Sequence, residues 1–142
     1  MIDNRTVPYA ALVLRLSLGV LFLAHAALKI FIFTPAGTAQ YFASLGLPPA
    51  IAYLTMLGEA AGGVALVLGV QTRLISLALT PILIGAIVTA HAANGWLFSN
   101  AGGGWEFPAF WAATLVVQAL LGDGAFALKL PNPIQLSAAA QS

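Results

Sequence analysis

Cysteine is absent from the 142 residues, which excludes disulfides, thiol redox steps and cysteine-ligated metals within this chain. A redox role would have to run through a bound cofactor or a partner protein. Charge is nearly as scarce. Five Lys or Arg and four Asp or Glu make up 6% of the residues, where a soluble domain carries about a quarter. So few charges cannot wet the surface of a soluble particle of this size. The net charge of +1, from scattered basic residues, gives no electrostatic footprint for nucleic acid. No internal repeat is visible, and the length suits a single domain, residues 1–142.

What is present is apolar sequence, 61% of the chain. A hydrocarbon core about 30 Å thick needs roughly 20 apolar residues in a helix, and four stretches are of that order: about 9–33, 49–70, 74–93 and 107–123. The fold expected is an all-α integral membrane protein, an up-down bundle of four spanning helices. Ala24-His25-Ala26 has the small residues of a signal cleavage site, but Arg15 interrupts the run and the stretch stays apolar beyond it. The first span therefore reads as a retained anchor. Pro48-Pro49 suits the opening of the second span, and Pro81 is expected to kink the third. Between the first two spans, Tyr41, Phe42 and Leu45 recur at helical spacing beside Gln40 and Ser44, a short interfacial helix stopped at Gly46. The tail, 131–142, is expected to be flexible. Arg5, Arg73 and Lys129 flank alternate loops on one side, so both termini should be cytoplasmic, with membrane lipids around the spans.

Against this apolar background the polar residues carry the argument. At 100° per residue, Arg15, His25 and Lys29 fall within an arc of about 80° on the first helix. By rise they lie roughly 8, 22 and 28 Å above its cytoplasmic edge. Ionisable groups in spans usually face the bundle interior or a wet cavity. Glu59, near mid-membrane in the second span, supplies the opposite charge and is expected to form a structural ion pair with Arg15, with His25 also in reach. Gly58 and Gly62 beside it form a small-xxx-small pattern, suited to packing within the bundle or to a homo-oligomer contact. His91, near the outer end of the third span, and Glu106, opening the fourth, share the outer third with His25 and Lys29. Trp96 and Trp105 flank them. The ligand-binding set read here is His25, Lys29, Glu59, His91, Trp105 and Glu106. No catalytic residue is identifiable, and Lys29 beside His25, His91 and Glu106 argues against a metal.

The stretches "RLSLGVLFLAHAALKIF", "SLGLPPAIAYLTMLGEAAGGVALVLGVQTR", "HAANG" and "GWEFP" occur in that order. Together they resemble the DoxX/DoxD family of small bacterial membrane proteins, from Arg15 to about Leu128. Ala26 departs from the glycine often found after the histidine. The resemblance implies a four-helix membrane protein linked to quinone-dependent redox systems, as a subunit or accessory of an oxidoreductase, with a redox partner protein. It also implies quinone as the candidate cofactor. Three readings follow: a redox-associated subunit with an outward-opening polar cavity for a small amphipathic ligand, an assembly factor or scaffold with a structural polar core, and a small-molecule or proton conductor.

Overall fold

The computed structural model describes residues 3–129; the tail at 131–142 lies outside them. Helix α1 (Val7–Ala27) has Pro8 in its first turn, where a missing N–H costs nothing, and continues as a π turn over Leu28–Ile32. Helix α2 (Pro35–Ser44) is the short element expected between the first two spans, and Gly46 at φ +80° follows its end. It begins earlier than the aromatic spacing indicated, because the Thr34 hydroxyl accepts the Gly37 N–H at 3.2 Å. Helix α3 (Pro49–Leu68) starts on the second of two prolines and stops at Gly69, whose φ of +76° turns the chain out. Helix α4 (Thr72–Ala86) stays helical through Pro81, then runs into a π turn at Ile87–His91 and a 3-10 turn at Ala92–Asn94. Helix α5 is Glu106–Leu121.

Val7–Ile32, Pro49–Leu68 and Thr72–Asn94, with 26, 20 and 23 residues, are long and apolar enough to cross a membrane. The fourth, α5, is also apolar but has only 16 residues, about 24 Å by helical rise. It stops before residue 123 because Gly122, at φ +86°, leaves the helix. The Gln118 side-chain amide donates to Gly122 O there at 2.8 Å. The protein is an all-α bundle of four main helices with α2 as an extra short piece, and no strand occurs among the described residues. Val13, Phe31, Leu57, Phe110 and Leu120 are each more than 60% exposed. So much outward-facing apolar surface suits lipid rather than water.

Helix α1 packs mainly on α3, and α4 mainly on α5. The first pair meets through glycine: a Cβ on Gly19 would lie 2.9 Å from Gly63 O, and one on Gly63 would lie 3.0 Å from Gly19 O. Backbones this close leave room for no side chain between them. Gly62 and Gly58, the small-xxx-small pair, receive Leu79 and Ile82 of α4 instead. Leu18, Phe22, Leu66, Leu79, Leu83, Trp111 and Leu115 fill the centre and join the two pairs.

The chain after α5 folds back over the near end of the bundle. Ala125 N donates to Pro8 O at 2.9 Å, and Leu128 N donates to Leu68 O at 3.0 Å. Asp123 accepts the Thr72 N–H at 3.0 Å. Arg15 belongs to this lacing. Only 1% exposed, it donates from Nη1 to Val67 O at 3.3 Å and from Nη2 to Ala125 O at 3.0 Å.

Candidate functional site

The expected Arg15–Glu59 pair does not form, and the register of α1 on α3 shows why. Arg15 lies against Gly69, Gly19 against Gly63 and Val67, and Leu23 against Gly63. Continued along the antiparallel pair, this register brings Glu59 level with about residues 23–27 of α1, within reach of the side chain of Lys29, which slants back toward the helix N-terminus. Arg15 is fourteen residues away along α1, about 21 Å by helical rise. Lys29 Nζ meets both Glu59 oxygens, at 2.8 and 2.9 Å. The pair is enclosed, with side-chain exposures of 19% for Lys29 and 5% for Glu59.

A π turn positions the lysine. The Phe33 N–H bonds to Leu28 O at 2.9 Å, so Lys29 O loses the donor that an α-helix would have given it. The Thr38 hydroxyl of α2 takes its place at 3.0 Å. The widened turn thus fastens α2 beside Lys29. The second π turn ends on His91, so both irregular turns carry a residue of the expected site.

These groups face one cavity of about 1400 Å³. His25, Lys29, Glu59, His91 and Glu106 all line it, from α1 and its π turn, α3, the π turn after α4, and α5. The rest of the wall is mainly apolar and aromatic, with Tyr41 and Phe42 of α2, Trp96 and Phe98 of the α4–α5 loop, and Phe107 and Trp111 of α5. Trp105 is not in the wall. It stands edge-on to Trp96 with centroids 4.4 Å apart, and its main-chain N–H donates to Gly95 O at 3.1 Å; Trp96 is the tryptophan the loop presents to the cavity.

Backbone carbonyls fix both imidazoles. His25 Nδ1 lies 2.9 Å from Leu21 O, and His91 Nδ1 lies 2.9 Å from Gly103 O. A carbonyl can only accept, so Nδ1 carries the proton in each ring. Among the described residues, Nε2 of neither ring has a protein hydrogen-bond partner. Glu106 is more committed, because its Oε1 accepts the Phe98 N–H at 2.8 Å and ties the loop to the start of α5. The loop is a packed cap: Asn94 Nδ2 reaches Ala90 O, Gly102 O and Gly103 O, each at 3.0 Å. A Cβ on Gly104 would collide with the carbonyls of Gly95, Trp96 and Leu97. Glycine there is a packing requirement.

Trp111 is the wall residue that the sequence reading passed over. It is 4% exposed and lies 4.8 Å from the His25 ring and 4.5 Å from Phe22, centroid to centroid. One signal could have marked it, since it is the only tryptophan of the three inside a span rather than in a loop.

The family model for DoxX matches residues 10–92. The chain belongs to the DoxX family. That DoxX stretch holds Arg15, His25, Lys29, Glu59 and His91, whereas α5, with Glu106 and Trp111, lies beyond it. "Putative oxidoreductase CatD" of Bacillus subtilis (strain 168) is 36% identical to it over 86 residues, 61% of this chain and 63% of the relative. The chain thus spans less than two thirds of that DoxX-family relative's length. No solved structure matches.

Proposed function

We propose that this DoxX-family protein is a redox-associated, quinone-linked membrane subunit whose cavity holds a small amphipathic ligand. The observation that carries the proposal is the cavity wall. Aromatic faces surround an enclosed ion pair and two histidines whose Nε2 atoms have no partner among the described residues. Ligand sites are mostly apolar clefts with a few placed polar groups. The oxidoreductase in the relative's name supports a redox setting.

The residues fit a quinone. Trp96, Phe107 and Trp111 offer flat apolar surface, while His25, His91 and Lys29 offer hydrogen-bonding groups for ring oxygens. A bound quinone would supply reversible two-electron, two-proton chemistry, which a chain without cysteine does not supply through thiols. The chain's own contribution is to hold the ring, orient its oxygens and limit access of water.

Quinones and lipids retained after gentle purification, identified by mass spectrometry, test this reading. His91→Asn should keep the bond to Gly103 O, because the Asn amide stands where Nδ1 does, yet remove Nε2. Retained ligand should then fall by about tenfold, the worth of one charge-free hydrogen bond at the upper end of its range. Retention unchanged in that variant would remove His91 from the site, and wild type that retains no such compound would defeat the proposal.

The same reading places both termini in the cytoplasm of a bacterial inner membrane. Asn4 and Ser99 are both exposed and lie toward opposite ends of the bundle. In intact cells, an impermeant thiol reagent should label Ser99→Cys and leave Asn4→Cys unlabelled; the opposite pattern would invert the orientation.

A further inference from the structure

A second, smaller cavity of about 560 Å³ opens between the π turn of α1 and α2. His25, Lys29, Tyr41 and Phe42 line both cavities, so the two meet along a shared wall. Leu28, Phe33, Gly37 and Thr38 complete the smaller one. The groups it does not share with the main cavity are apolar or satisfied, with the Thr38 hydroxyl on Lys29 O, while His25, Lys29 and Tyr41 lie on the shared wall. A polar head group would find few partners there, whereas a hydrocarbon chain needs none. Outside it, Phe31 and Ile32 of the same turn are 77% and 67% exposed, and in a membrane they face lipid.

We propose that this smaller cavity holds the hydrocarbon tail of the ligand whose head group occupies the main cavity. The ligand is then a lipid-phase molecule that enters sideways from the bilayer, between α1 and α2. This rests on the reading of the main cavity as a head-group site. The Thr38–Lys29 bond ties α2 to the π turn, so α2 forms one wall of the smaller cavity.

The test uses two probes with one head group, 2,3-dimethoxy-5-methyl-1,4-benzoquinone and its 6-decyl derivative, titrated against protein in lipid nanodiscs. Leu28→Trp and Gly37→Leu each place bulk in the smaller cavity. At Gly37 an added Cβ meets one neighbour, Thr34 Oγ1 at 3.3 Å, which has to give by a few tenths of an ångström, so Leu28→Trp is the variant that leaves the α2 cap untouched. Each variant should weaken the decyl probe by about tenfold, equivalent to some two methylenes displaced, and should leave the tail-less probe unchanged. Partitioning of the decyl chain into lipid is the same for wild type and variant, so it cancels from the ratio. Wild type that binds both probes, with variants that weaken both equally or neither, would overturn the tail site and leave the head-group reading standing. Wild type that binds neither probe would overturn both.

Discussion

Glu59→Leu should lower stability by about 3–5 kcal/mol, because it strands the Lys29 ammonium in a largely enclosed place. Lys29→Met should cost a similar amount by stranding the carboxylate. The double variant should recover most of the loss, since two matched apolar groups leave no unpaired charge behind. Glu59→Gln should fall between, for its amide oxygen still accepts one bond from Nζ. Unfolding of purified protein in mixed micelles, run as a double-mutant cycle, measures the coupling. Strictly additive single losses would mean that the 2.8 and 2.9 Å contacts contribute nothing to the fold. Arg15 provides the control. It lies about 21 Å from Lys29 along α1, so Arg15→Met combined with Glu59→Leu should be additive.

The same pair connects stability to the cavity. It neutralises two of the charges in the wall against each other, so an apolar ring approaching them meets a pair rather than a bare ion. Variants at Glu59 therefore confound folding with binding, whereas His91→Asn does not.

The helices were legible because their signals are local. Runs of apolar residues gave the main units, and prolines and glycines gave several of their ends. Tyr41, Phe42 and Leu45 pointed to α2 by spacing alone. Five of the six expected site residues line one cavity, because rare polar residues in apolar helices tend to face inward. Pairing was harder. Depth counted separately along each helix put Glu59 midway between Arg15 and His25, but the relative height of two helices is set by their contacts. Here the close approach of Gly19 and Gly63 fixes it. The π turns left no trace in the sequence, since one shifted hydrogen bond alters no apolar period. Trp105 was the tryptophan expected at the site, but Trp96 lines the cavity instead, with Trp105 edge-on to it; two tryptophans flanking one loop carry no signal of which faces inward. The returning segment after Gly122 was also missed, for it is held by main-chain carbonyls that every sequence possesses.

That segment makes Arg15 the second residue of large expected effect. Its guanidinium is planar and forked, so one side chain can bond Val67 O of α3 and Ala125 O of the returning chain together. Val67 lies in the last turn of α3, where carbonyls lack helical donors and the helix dipole favours a cation. Arg15→Met should remove both bonds and leave two enclosed carbonyls, at a cost of about 3 kcal/mol. Arg15→Lys keeps the charge but not the fork, and should restore less than half of that loss. Global stability alone would not separate this role from simple packing, so the local readout is amide exchange. Ala125 N–H and Leu128 N–H, bonded to Pro8 O and Leu68 O, should exchange much faster in Arg15→Met, while amides around Lys29 and Glu59 keep their protection. Equal exchange at Ala125 and Leu128 in wild type and variant would show that the returning segment holds without Arg15. Its burial would then be unrelated to the lacing.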